Sequence, residues 1–225
     1  MSHELQEYPD REMLIIDLAG QLAGDLRAAL KHDERVAFAV PGGTTPGPIF
    51  DDLCATELDW DRVDVLLTDE RWVPESSERS NTRLLRERLL VEKAAAARLL
   101  PMYVPCQEPE ERLAEISQTI TAELPLAVVL LGMGADMHTA SLFPGADRLG
   151  DALAPDAPVL MPMRAPGAPE PRVTLTAQVL NGALRKHVVI FGAEKRAALE
   201  NAKGKKALEA PINAVLDGAI VHWAE

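Results

Sequence analysis

Three clusters of polar residues interrupt an otherwise apolar pattern, and each holds side chains that bind anions or move protons. The densest reads Gly132-Met133-Gly134-Ala135-Asp136-Met137-His138-Thr139-Ala140-Ser141-Leu142-Phe143-Pro144-Gly145. Histidine side chains titrate near neutral pH, so one placed two residues beyond a carboxylate can take a proton from water while the carboxylate orients its imidazole. A lone loop histidine is more often structural, but Asp136, His138, two hydroxyls and the glycines crowd one segment here, which favours the chemical role. Ser141 is a poor nucleophile candidate, because its surroundings are not GxSxG and it follows His138 at an expected helix start.

The second cluster, Pro41-Gly42-Gly43-Thr44-Thr45-Pro46, combines paired glycines with hydroxyls ahead of a helix. Glycines admit close backbone approach, and free N–H groups at a helix start suit a phosphate. It is neither a Walker loop nor a dinucleotide fingerprint, so a plain tight turn remains open beside phosphate binding. The third, Thr68-Asp69-Glu70-Arg71-Trp72-Val73-Pro74, sets four consecutive polar groups at the end of an apolar run. They are costly to place there unless they pair or bind something. Arg71 offers a fork of donors to a phosphate or carboxylate. The alternative is a surface ion network of Asp69 and Glu70 with Arg71, anchored by Trp72.

Each cluster directly follows a strand-like run. Strands are predicted at 36–40, 63–67, 99–104, 126–131, 159–163, 173–176, 187–191 and 219–223, mostly continuous apolar runs of the kind buried on both faces. Helices are predicted at 12–31, 81–97, 108–123, 178–184 and 194–203, with Ser80-Asn81 capping the second. The segment 152–171, with six prolines, reads as an irregular connection around a short strand. The alternation predicts an α/β fold, a single Rossmann-like domain over residues 1–225 with a largely parallel sheet flanked by helices. In such sheets ligands bind beyond the carboxyl ends of the strands, where the clusters fall.

Composition narrows the function classes. With 47% hydrophobic residues the chain has ample material for a core. A net charge of −12 argues against nucleic acid and anionic membranes as partners. No apolar run approaches the roughly 20 residues of a membrane span, and Met1-Ser2-His3-Glu4-Leu5-Gln6-Glu7 does not read as a secretory signal, so a cytoplasmic location is expected. Cys54 and Cys106 lack metal-site spacing and read as reduced thiols. The oligomeric state is left open, the acidic surface leaning towards a monomer. An anionic ligand would need a locally positive pocket, for which Arg71, Arg172 and Lys195 are the candidates.

Together these segments resemble the 6-phosphogluconolactonase family, within the wider group that includes glucosamine-6-phosphate deaminases. Gly42-Gly43-Thr44-Thr45-Pro46 looks like its phosphate loop, Thr68 to Val73 its second motif, and His138-Thr139-Ala140-Ser141-Leu142-Phe143-Pro144-Gly145 its signature; Pro171 to Thr176 and Gly192-Ala193-Glu194-Lys195 also match. The resemblance implies hydrolysis of a sugar-phosphate lactone without metal or organic cofactor. His138 would be the general base, Asp136 its supporting carboxylate, and Arg71 and Lys195 substrate-binding cations; Gly42, Gly43, Thr44, Thr45, Asp69 and Arg172 would complete the binding site. Deaminases of the group carry a functional glutamate five residues after the histidine, where this chain has Phe143, which cannot transfer a proton. Two departures stand out. Pro41 replaces a frequent serine, and Met137 replaces a usual glycine, so a positive φ there would strain the loop.

Overall fold

The computed structural model describes residues 3–225, so Met1 and Ser2 of the polar N-terminal reading lie outside the described residues. The main sheet holds β1 (Glu4–Glu7), β2 (Val36–Val40), β3 (Val63–Leu67), β5 (Arg98–Leu99), β6 (Leu126–Gly132), β9 (Arg185–Phe191) and β10 (Ile220–Ala224). Their order is β1-β10-β9-β6-β2-β3-β5, and every pairing is parallel. A smaller antiparallel sheet, β4-β8-β7, is built from β4 (Asp69–Arg71), β7 (Leu160–Met163) and β8 (Arg172–Leu175). It is joined to the main sheet where the Thr68 N–H donates to Val40 O and the Leu175 N–H donates to Thr68 O, both at 2.9 Å.

The central strands β2 and β6 are buried on both faces, as their unbroken apolar runs require. Helix α1 (Arg11–Ala29) covers one face with the i, i+4 ladder Leu14, Leu18, Leu22 and Leu26, each fully buried and each contributing roughly 2 kcal/mol. Asp10 caps its N-terminus by accepting the Met13 N–H at 2.8 Å. The remaining helices are α2 (Gly47–Cys54), α3 (Asn81–Arg88), α4 (Leu113–Thr121), α5 (Leu149–Ala152), α6 (Ala177–Asn181) and α7 (Gly192–Ala202).

Several boundaries differ from expectation. The predicted helix 81–97 stops at Arg88 and resumes as a 3-10 turn, Glu92–Ala96, because Glu92 takes a φ of 47° that no α-helix accommodates. The predicted strand 99–104 shrinks to Arg98–Leu99, with prolines at 101 and 105 limiting further ladder pairing. Helix 108–123 divides into a 3-10 turn at Pro109–Glu111 and α4. Strands β1 and β4 were not expected: the first is a polar edge strand, the second only three residues long. Among the described residues no helix is long and apolar enough to cross a membrane.

A buried polar chain ties α1 to the far edge of the sheet. Asp25 contacts His187 Nε2 at 2.9 Å, His187 Nδ1 contacts His222 Nε2 at 3.0 Å, and His222 Nδ1 contacts Tyr8 OH at 2.9 Å, which donates to Asp17 at 2.6 Å. Burial, reinforced by the neighbouring His187 and opposed by Asp17, lowers the pKa of His222 from 6.5 to about 3. An unfolded chain therefore takes up a proton at His222 that the folded chain refuses until about pH 3. Stability is expected to fall by a few kcal/mol as pH drops through that window. Chemical denaturation at several pH values should show His222→Gln with a flatter acid limb; an unchanged slope would remove His222 as the cause.

Candidate active site

The strand order places the switch in connection direction between β2 and β6, since β2 leads to β3 on one side while β6 leads towards β9 on the other. Such a point leaves a crevice beyond the carboxyl ends of the strands. There lies a cleft of about 240 Å³. Four neighbouring strands feed it: β2 supplies Gly42, Gly43, Thr44 and Thr45, β3 leads into Asp69 and Arg71, β6 into His138, and β9 into Lys195 in the first turn of α7, while β8 contributes Arg172. Of the residues expected from the sequence, only Asp136 does not line it. Instead it stands behind the histidine, its Oδ1 at 2.5 Å from His138 Nδ1 and accepting the His138 backbone N–H at 3.1 Å.

That contact fixes the tautomer. A carboxylate accepts, so Nδ1 carries the hydrogen, and in the neutral ring Nε2 is the nitrogen with a lone pair to offer. The loop is shaped for this contact. A Cβ on Gly134 would lie 2.3 Å from the imidazole and 2.6 Å from Asp136 Oδ1, so only glycine fits beneath the ring. The Gly134 N–H donates to His138 O and the Met137 N–H to Gly134 O, each at 3.0 Å. Met137 adopts a φ of 69°, the positive value at which a side chain is strained. Its carbonyl accepts the Ile212 N–H at 3.0 Å, and its side chain packs half-buried against the core. The Phe143 ring packs against the imidazole, centres 4.4 Å apart and planes tilted by 37°, with the Arg172 guanidinium 5.6 Å from the centre of the same ring.

The alternative reading, an ion network of Asp69 and Glu70 with Arg71, does not form among the described residues. Asp69 turns inward, accepting from Ser141 Oγ at 2.5 Å and standing 3.9 Å from Arg172 Nη1. Ser141 is fully buried in that bond. Glu70 accepts the Arg71 backbone N–H at 2.8 Å and leaves the guanidinium free to donate through Nη1 to Arg79 O at 2.6 Å. Trp72 is the anchor expected of it, buried edge-on against Tyr103 and donating to Cys106 O at 3.2 Å.

The cations face the cleft with bonding capacity to spare. The Nε atoms of Arg71 and Arg172 are buried without a hydrogen-bond partner. Desolvation by burial lowers the pKa of Arg172 and of Lys195, with Asp69 and Glu194 respectively opposing it. Unsatisfied buried donors on two arginines, with the Lys195 ammonium beside them, suit the binding of an anion. Asn81 also lines the cleft, which sequence reasoning treated only as part of a helix cap. Among the described residues no group of histidine, cysteine, aspartate and glutamate has the arrangement of a metal site.

Anion-binding loops and an oriented imidazole at the switch point of a parallel sheet mark the α/β class of enzymes that act on phosphorylated small molecules. Comparison with known proteins makes this specific. The family described as glucosamine-6-phosphate isomerases/6-phosphogluconolactonase matches residues 9–223, and the chain belongs to that family. It is 41% identical to the 6-phosphogluconolactonase of Mesorhizobium japonicum, over 99% of this chain and 96% of that protein. It is equally 41% identical to the one from Rhizobium meliloti, with both chains covered completely. The crystal structure of a 6-phosphogluconolactonase from Shewanella baltica superposes with a TM-score of 0.96 at 28% identity, covering 100% of this chain and 98% of that one.

The tight fit under the imidazole is open to a direct check. Gly134→Ala should leave the fold intact but push the ring off Asp136, so that the low-field Nδ1 proton resonance of His138 disappears from the NMR spectrum. Survival of that resonance at its original position would refute the packing argument.

Proposed function

We propose that the chain hydrolyses 6-phospho-D-glucono-1,5-lactone to 6-phosphogluconate, the lactone-opening step of the oxidative pentose phosphate pathway, in the cytoplasm and as one functional unit over residues 1–225. The observation that carries this reading is that one cleft holds both an imidazole backed by a carboxylate and a glycine turn flanked by three cations. Relatives of the same length named 6-phosphogluconolactonase support the choice of substrate.

In this reading the phosphate rests on Gly42, Gly43, Thr44 and Thr45, with Arg172 and Lys195 supplying charge. Asp136 holds the tautomer, and His138 Nε2 takes a proton from a water that attacks the lactone carbonyl carbon. The tetrahedral oxyanion is stabilised by Arg71 and by loop N–H groups. Its collapse breaks the bond to the ring oxygen, which receives the proton held by His138, leaving the free acid that ionises to the product. Asp69 helps bind the sugar. No covalent intermediate is needed. Ser141, the one hydroxyl near His138 in sequence that invites a nucleophile role, is buried and committed to Asp69. Phe143, packed against the imidazole, offers no proton for deamination.

The wild type is expected to open the lactone well above the spontaneous rate, and His138→Ala to lose about a hundredfold or more of that acceleration with its circular dichroism unchanged. Glucosamine 6-phosphate should release no ammonia. A wild-type rate no greater than the spontaneous one would leave a binding protein rather than a hydrolase. Lys195 gives a second test. Burial lowers its pKa, so its ammonium is lost at lower pH than that of an exposed lysine, and affinity for the anionic product should decline as pH rises. Calorimetric titration with 6-phosphogluconate should show this decline in the wild type and a weak, flatter profile in Lys195→Gln.

A further inference from the structure

Glu70 sits outside the cleft, between Asp69 and Arg71, which line it. Alternation along β4 points its side chain the other way. It is fully buried, and among the described residues no cation pairs with it. Instead its oxygens gather five donors. Oε1 accepts the backbone N–H groups of Arg71 and Asn81, each at 2.8 Å. Oε2 accepts the Thr82 N–H and the Thr82 hydroxyl, each at 2.7 Å, and the Ser80 hydroxyl at 3.2 Å. Desolvation raises its pKa against the pull of these bonds.

The donors come from both walls of the cleft entrance, one from β4 and four from the start of α3. What they hold reaches the ligand face. Asn81 donates through Nδ2 to Asp69 O at 2.9 Å, and its side chain lies so close to the glycine turn that a Cβ on Gly42 would come within 2.0 Å of it. One carboxylate thus fixes the backbones of Arg71 and Asn81, and the Asn81 side chain, tied to Asp69 O, packs against the Gly42 turn. A buried carboxylate without a counter-ion is expensive, and hydrogen bonds to such a charge are among the stronger ones available.

We infer that Glu70 is a positioning residue for substrate binding, setting the separation between the Gly42 turn and the Arg71 guanidinium. The inference rests on the anion-binding role proposed for this cleft. Glu70→Gln keeps the length but puts an amide N–H₂ where backbone donors converge, so part of the cluster loses its acceptor.

The test compares Glu70→Gln with Asp64→Asn. Asp64 is an equally buried carboxylate, held by Arg35 and Arg98 in β3 on the side away from the cleft strand ends. Lactone KM and the dissociation constant of 6-phosphogluconate should rise about tenfold in Glu70→Gln, with kcat falling as well because Arg71 also faces the oxyanion, while Asp64→Asn lowers the melting temperature and leaves both binding constants alone. Thr82→Val, which removes one hydroxyl donor and keeps the backbone N–H, should move KM the same way by less, and it decides the matter if Glu70→Gln does not fold. Wild-type binding constants in Glu70→Gln, or in Thr82→Val should that be the only folded variant, overturn the inference, as does an equal rise in Asp64→Asn. If the wild type shows no lactonase activity the proposed reaction fails, and the 6-phosphogluconate titrations still decide the role of Glu70.

Discussion

Every strand of the main sheet runs the same way, and the site depends on that. Parallel pairing gathers all the carboxyl ends on one edge, so turns distant in sequence open onto a common crevice. The four strands that feed the cleft, β9, β6, β2 and β3, are consecutive neighbours in the sheet. The direction reversal between β6 and β2 spreads the flanking turns apart and makes room for a ligand. Burial of β2 and β6 on both faces gives this arrangement rigidity, because neither strand can slip register without exposing apolar side chains.

The cleft is an electrostatic exception within its own protein. The chain carries a net charge of −12, yet the crevice collects Arg71, Arg172 and Lys195. The nearby carboxylates neutralise them only in part. Glu70 is turned away and saturated by neutral donors, Asp69 is shared between the Ser141 hydroxyl and a 3.9 Å approach to Arg172, and Asp136 stands behind an imidazole. Positive charge therefore remains unspent where an anion would arrive, while the surrounding field repels larger polyanions.

How far the sequence revealed this follows from how its signals are encoded. Apolar runs identified β2 and β3 with their boundaries and β6 to within one residue; burial on both faces leaves β2 and β6 little else to use, while β3 carries one buried carboxylate, Asp64, held by Arg35 and Arg98. The cleft residues were legible because glycines, hydroxyls and charges at the ends of apolar strands are conspicuous. Strand β4 was not legible: three polar residues carry no periodicity, and only pairing with β8 makes them a strand. For the same reason Glu70 read as one polar residue among four, although its neighbours in space come from the start of α3, ten or more residues on. Met137 was legible as a departure, and the fold gives it the positive φ that makes a side chain there strained.

The position of β1 has a consequence for synthesis. Glu4 pairs with Ile220 and Glu7 with Trp223, so β1 finds its partner in a strand made much later, the last of the described residues. While the chain emerges from the ribosome, β1 has no ladder to join, and the centre of the sheet can assemble without it. The outer edge closes once β10 has docked on β9, and with it the buried histidine pair, one ring from each of those strands, is sealed beneath α1. Closure of that edge thereby depends on a long-range pairing, Glu4 with Ile220, made through a single four-residue strand.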